Sequence, residues 1–190
     1  MSAITIAKLH QRFSGHEPVR ADLTGRIEAA VAIVLAPRVH PQLDILLIKR
    51  AELEGDPWSG QMALPGGRRE DGDATLLATA RRETFEETGV ALADSNVVGV
   101  LDDLAPVNPV LPPIVVRPFV FSLPERPPIT PSDEVALHLW TPLDDLPQSI
   151  GRTDILLRGV QRSMPAFFVG PHTVWGMTHR ILKSLFELAM

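Results

Sequence analysis

The sequence predicts a single α+β domain. Three observations carry this: apolar runs of strand length recur along the chain, three segments carry helical spacing instead, and no repeat, low-complexity tract or linker divides residues 1–190. Residues 1–25 form an N-terminal extension in which Ile4, Leu9 and Phe13 mark one face of an amphipathic helix. IEAAVAIVLA (27–36) and LDILLIKR (43–50) read as the two strands of a hairpin, with Val39 to Gln42 as a turn marked by Pro41. After a Pro- and Gly-punctuated loop, a helix is predicted from about Asp73 to Thr88, with Asp73 as N-cap and Gly89 as C-cap.

Beyond that helix, VVGVLDDL (97–104) and IVVRPFVFSL (114–123) are strand candidates. They are separated by APVNPVLPP, whose prolines lack donors and forbid regular structure. EVALHLWTPL (134–143) begins as a strand and leads to a short helix near Asp144 to Leu146. AFFVGPHTVWG (166–176) holds a short strand and a turn. MTHRILKSLFELAM (177–190) has the spacing of a closing amphipathic helix that serves packing or a dimer surface, so a homodimer is one expected state.

Composition narrows the function. With 45% hydrophobic and 22% charged residues the chain has the balance of a soluble globular protein. A formal net charge of −5 argues against a nucleic-acid face, which needs surplus lysine and arginine. The absence of cysteine excludes disulfides, thiolate metal sites and a cysteine nucleophile. No apolar run reaches the ~18 residues of a membrane span, and the N-terminus is too polar for a signal peptide, so a cytoplasmic protein with no membrane association is expected.

The chemistry concentrates in GDPWSGQMALPGGRREDGDATLLATARRETFEETGV (55–90). On a helix, Glu83, Glu86 and Glu87 fall on one face, while Leu77, Ala80 and Thr84 turn toward another side. Carboxylates this close repel one another, more strongly when water is excluded, and a divalent cation removes the penalty. Oxygen ligands without cysteine or a local histidine suit Mg²⁺ or Mn²⁺ better than zinc. Three glutamates alone also fit a solvated acidic face. The preceding Pro65-Gly66-Gly67 turn, which lets backbone approach a ligand closely, and the basic pair Arg68-Arg69 favour a metal-assisted site for a phosphate compound.

Gly67 followed after a spacer by Arg82-Glu83-Thr84-Phe85-Glu86-Glu87-Thr88-Gly89-Val90 resembles the signature of the Nudix hydrolases, here spanning about residues 66–90. Two positions differ from the family pattern: the early glutamate position holds Ala74 with Asp73 one place upstream, which leaves Asp73 a capping role, and Thr84 fills an aliphatic position. The resemblance covers roughly residues 26–150 and implies an α/β/α sandwich with a mixed sheet between helices. LLIKRA (46–51), ALPGGRRE and LLATARRETFEETG are similar to the coenzyme A pyrophosphatase branch. Gly55 stands where that branch carries a second arginine, and Leu64 replaces its phenylalanine.

The resemblance implies Mg²⁺ or Mn²⁺ held by Glu83, Glu86, Glu87 and a carbonyl at Gly67, and hydrolysis of a small nucleoside diphosphate derivative. Coenzyme A or its acyl forms lead as substrate, ahead of nucleotide sugars, dinucleotides and nucleoside triphosphates. Arg82 would orient a carboxylate, foremost Glu83. The general base is a box glutamate or a later carboxylate, with Glu134, Asp102 and Asp103 as candidates. Arg50, Arg68 and Arg69 are candidates for phosphate binding, and Trp58 either stacks on a base or plugs a gap. Arg117 points into the cleft or pairs structurally. His138, His172 and Trp140 read as structural. A nucleotide-sensing domain without activity would lose one of the acidic positions, and a structural metal protein would need no glycine turn.

Overall fold

The computed structural model describes residues 3–54, 58–106, 112–157 and 160–190. Gly55, the expected second-arginine position, and Val107 to Leu111 of the proline-rich loop lie outside them. At the centre stands a seven-stranded mixed sheet. Its path runs β3 (Met62–Ala63), β2 (Leu43–Arg50), β1 (Ile27–Pro37), β6 (Ile114–Ser122), β5 (Val97–Val100), with β4 (Gly66–Arg68) on β1 and β7 (Val135–Pro142) on β2.

The alternation along β1 explains the layers. Ala30, Ala32, Val34 and Ala36 face one side, and Ile33 and Leu35 the other, all fully buried. The small residues admit helix α2 (Leu76–Thr88), whose Leu76 and Ala80 join that cluster. The larger ones meet Leu9 of helix α1 (Ile6–Ser14) and Ile181, Leu182, Leu185 and Phe186 of helix α3 (Gly176–Ala189). Each such aliphatic side chain removed from water contributes about 1.5–3 kcal/mol. The apolar face of α3 is therefore occupied within the chain, and helices flank the sheet on both faces.

The hairpin of residues 27–50 forms as expected, but β1 and β2 stay paired only from Leu35↔Ile45 to Pro37↔Leu43. Toward the other end they diverge. Into the fork enter β4, paired with Ala29 to Val31 of β1, and β3, paired with Ile48 and Lys49 of β2. The Pro65 carbonyl accepts from Ala32 N at 2.8 Å, and Gln61 O from Arg50 N at 3.0 Å, so the glycine turn is bonded into the fork. Gly66 has φ 148°, and a Cβ there would overlap the Ala30 carbonyl oxygen, so this position admits only glycine.

Several boundaries differ from the sequence reading. Thr75, not Asp73, caps α2, accepting from Ala78 N at 3.2 Å, because Asp73 is drawn toward Arg82. Gly89 ends the helix in the left-handed region at φ 73°. The strand expected over 97–104 stops at Val100, with a lone bridge at Leu104↔Val116. The short helix near Asp144 is a 3₁₀ segment, Leu143–Ser149. Residues 150–165, given no element above, form β8 (Ile150–Leu157) and the first part of β9 (Val160–Val169), which with β10 (His172–Trp175) make a second, three-stranded antiparallel sheet. It docks through Ala166, Phe167 and Val174, with the Phe167 ring 4.6 Å from His179 and 5.7 Å from Phe186 of α3.

The N-terminal extension is tied down by two neighbouring acids. Arg117 of β6 makes forked bonds to both Asp103 carboxylate oxygens at 2.8 Å, and the same carboxylate accepts from Arg20 Nη1 and Ala21 N at 3.1 Å. Asp102 accepts from Val19 N at 2.9 Å. The Asp103 side chain is wholly enclosed; burial raises its pKa, but the bonds from Arg117 and Ala21 outweigh that and hold it below 3.8. Its stabilisation is therefore complete above pH 3.8 and is lost as pH falls through the lower folded value. Asp103→Ala, which strands Arg117, is expected to cost about 2–4 kcal/mol at neutral pH by urea unfolding. The deficit should shrink in acid; a constant deficit down to the acid limit would contradict the assignment.

Candidate active site

The acidic helix face and the glycine turn meet in the fork of the sheet. Glu87 is 3% exposed, and its Oε2 accepts from Gly66 N at 2.8 Å while Oε1 lies 3.8 Å from Arg50 Nη1. Glu83 stands directly over Gly67: a Cβ at that glycine would come within 2.5 Å of the Glu83 carboxyl carbon. Glycine is needed at 66 for the backbone and at 67 for the carboxylate.

Arg82 binds more partners than the sequence suggests. Its Nε and Nη2 fork onto Asp73 at 3.1 and 2.9 Å, and Nη2 also reaches the Arg68 carbonyl at 3.0 Å. Nη1 reaches Glu83 Oε1 at 3.0 Å and Glu86 Oε2 at 2.9 Å. Asp73 is thus the principal partner of Arg82, and its carboxyl is held down to about 2 chiefly by that bond. The capping role is corrected to an ion pair that joins the entry of α2 to its middle.

Electrostatics separate the three glutamates. Burial pushes Glu87 up to about 8, the Gly66 N–H opposing and neighbouring Glu83 reinforcing the rise. Burial also raises Glu83, against the pull of Arg82. Glu86 is more open, its side chain 55% exposed. Anionic Glu83 and Glu87 side by side in a poorly hydrated fork are the condition a cation relieves.

Glu134 reaches the same place by another route. Ser132 N donates to Glu87 O at 3.1 Å and Thr130 N to Thr88 O at 2.9 Å, which fastens the loop before β7 to the end of α2. Glu134 then faces Glu83 and Glu87, and its charge raises both their pKa values. Asp102 and Asp103 do not come here; they hold the N-terminal extension, and Arg117 pairs structurally with Asp103. They are corrected from candidate bases to clamp residues.

A cleft of about 710 Å³ opens from this cluster. Glu83, Glu87 and Glu134 line it together with Arg50, Arg68, Gly67 and Trp58. Arg69 does not: its Nη1 pairs with Glu28 at 2.9 Å and its other donors bond the Asp73 and Ala74 carbonyls, so the substrate role expected of it is corrected to a structural one. His138 and His172 are strand residues of β7 and β10 outside the lining, and Trp140 packs against the cluster beneath α2. The far wall was not foreseen. Met177 and Ile181, from the first two turns of α3, join Val31, Ile114 and Val116 to make it apolar, with the Thr178 hydroxyl the polar exception. Its sequence signal is the apolar spacing of 177–190, which reads as packing or a dimer surface and not as a cleft wall.

The donor set fits a hard divalent ion in its chemistry. Glu83, Glu86 and Glu87 supply carboxylate oxygen, and the missing Cβ at Gly67 leaves its backbone beside the Glu83 carboxylate. Among the described residues no three acidic or imidazole groups already converge at ligand distance, since Arg82 holds Glu83 and Glu86 and Gly66 N holds Glu87. Gly67→Ala is expected to weaken Mn²⁺ binding, read by calorimetry, by about tenfold or more with the melting temperature nearly unchanged. Gly66→Ala should instead lower the melting temperature. Equal metal binding in wild type and Gly67→Ala would refute the cradle.

The NUDIX domain family model matches residues 26–158. The chain is 34% identical over 191 residues to the Nudix hydrolase NudL of Cronobacter sakazakii, covering 97% of this chain and 94% of that protein. It is also 34% identical over 154 residues to a fission-yeast protein, covering 77% of this chain and only 43% of the yeast protein. Among solved structures, a MutT/nudix family protein from Enterococcus faecalis superposes with a TM-score of 0.58 at 18% identity, covering 97% of this chain and 69% of that one, and shares the fold. The chain belongs to the Nudix family and is a hydrolase acting on nucleoside diphosphate derivatives.

Proposed function

We propose that the chain hydrolyses the diphosphate of coenzyme A or an acyl-coenzyme A, releasing 3′,5′-ADP and phosphopantetheine or its acyl form. One observation carries this reading: the cleft joins a charged end, with Arg50, Arg68 and three carboxylates, to an apolar wall built by Val31, Ile114, Val116, Met177 and Ile181. A diphosphate suits the first, and the second suits the gem-dimethyl and methylene carbons of a pantetheine arm better than the densely hydroxylated second sugar of a nucleotide sugar.

The residues divide the work as follows. Arg50 and Arg68 bind the diphosphate oxygens and set the bridge against the carboxylates. Water adds to one phosphorus, the bond from that phosphorus to the bridging oxygen breaks, and the departing phosphate monoester takes the electron pair. Glu134 accepts the proton of the attacking water. Glu83, Glu86, Glu87 and the Gly67 carbonyl would hold Mg²⁺ or Mn²⁺. When bound, the ion supplies a lower pKa for water and charge neutralisation on the phosphoryl oxygens. Arg82 positions Glu83 and Glu86. Trp58 borders the cleft where a base can stack.

Glu134→Gln is expected to lower kcat by about 10²–10⁴-fold with KM and melting temperature little changed, and Glu87→Gln by about 100-fold or more. Full activity in Glu134→Gln would move the base to a box glutamate.

A panel of coenzyme A, acyl-coenzyme A, nucleotide sugars, dinucleotides and nucleoside triphosphates, run with Mg²⁺ and with Mn²⁺ and with products identified, tests the substrate. 3′,5′-ADP from the coenzyme A arms is the expected result. Cleavage of a nucleotide sugar with coenzyme A untouched would overturn the substrate and leave the reaction class standing.

A further inference from the structure

The second sheet ends in an arm that no other described segment of the chain covers. Beyond Pro165 the β8–β9 ladder continues through Thr153↔Met164 and Asp154↔Ser163 to Leu157↔Val160. Ile150 is 61% exposed, Val160 54%, and Leu156, at 74%, is the most exposed large apolar side chain among the described residues. A two-stranded ribbon of this kind is marginal in water on its own. Strand order β10-β9-β8 places β8 at the margin, and among the described residues no strand pairs with its outer edge.

The residues along that edge are self-complementary in one register. Ile150, Arg152, Asp154 and Leu156 share a face by the two-residue period of a strand. Let a second β8 run antiparallel beside the first about a two-fold axis at Thr153. Arg152 then stands opposite Asp154 of the second copy, Asp154 opposite Arg152, Ile150 opposite Leu156, and Leu156 opposite Ile150. Both exposed aliphatics and both charges find partners at once. Centring the axis on Arg152 would face that arginine with itself, and centring it on Asp154 would do the same for the carboxylate. In the single chain the Arg152 guanidinium leans across to Ser163, bonding its hydroxyl at 3.1 Å and its carbonyl at 2.6 Å, and it would turn outward to meet the new carboxylate.

We propose that β8 is a dimerisation edge that pairs antiparallel with β8 of a second copy of this chain, centred on Thr153, joining the two three-stranded sheets into one of six strands. The partner is fixed by charge and apolar complementarity along the edge, and no described residue of β8 lines the cleft.

Analytical ultracentrifugation of the full chain tests it. The wild type should dimerise at micromolar concentration. Asp154→Arg and Arg152→Asp, each setting like charges opposite one another twice per dimer, should each raise the dimer dissociation constant by about tenfold or more. The exchange of both in one chain should restore it, a result that misfolding cannot produce. Because the chain has no cysteine, Thr153→Cys should cross-link to itself under mild oxidation, and Asp154→Cys should not. A wild type that stays monomeric at millimolar concentration would overturn the proposal. So would single reversals that leave the dimer intact, a double exchange that fails to restore it, or cross-linking as efficient at 154 as at 153.

Discussion

The site depends on one guanidinium. Arg82 forks onto Asp73, reaches the Arg68 carbonyl, and bonds Glu83 and Glu86. Those partners come from the loop before α2, the strand after the glycine turn, and the helix itself. A lysine could not serve all of them, since a point charge lacks the planar fork that engages Asp73 through two nitrogens and still leaves a third for Glu83 and Glu86. Acidic residues that would repel one another if left alone are thereby held in place, and the loop is fixed to the helix at the same time.

The splitting of the sheet gives this arrangement somewhere to act. Were β1 and β2 paired along their whole length, the fork would be closed and Gly66 and Gly67 would have no strand edge to join. Divergence after Leu35↔Ile45 exposes backbone donors and acceptors that β3 and β4 satisfy. The glycine turn then lies under α2, close enough for Gly66 N to donate to Glu87. The opening left between the strands is the cleft, and α3 closes its apolar side with Met177 and Ile181. Core and site therefore share elements: the same helix that buries Leu182 and Leu185 lends its first two turns to the cleft.

Burial sets the electrostatic character of the cluster. Glu87 is enclosed by its position on the inner face of α2, which favours its neutral form, while Glu86, one residue away on the helix, stays open to solvent. Two adjacent carboxyl groups of one motif thus differ because the helix turns them toward different media. Glu134 adds a third carboxyl group beside Glu83 and Glu87, brought there by hydrogen bonds from Thr130 and Ser132 to the end of α2.

The sequence by itself determined the elements whose cause is local. The apolar run of 27–36, the glutamates three and four apart, the paired glycines and the Gly89 cap can each be read from a few neighbouring residues. So can the family, since its motif lies within one stretch. Only the tertiary structure decided what depends on residues far apart. It gave Asp73 to Arg82 and not to the helix cap, withdrew Arg69, Asp102 and Asp103 from the cleft, and brought Glu134 into it. It also raised β8 as an arm, because a strand whose alternation is polar on an exposed ribbon carries no apolar periodicity to announce it. An ion pair or a cleft wall is a meeting of segments, and which segments meet is settled by how the sheet and helices pack.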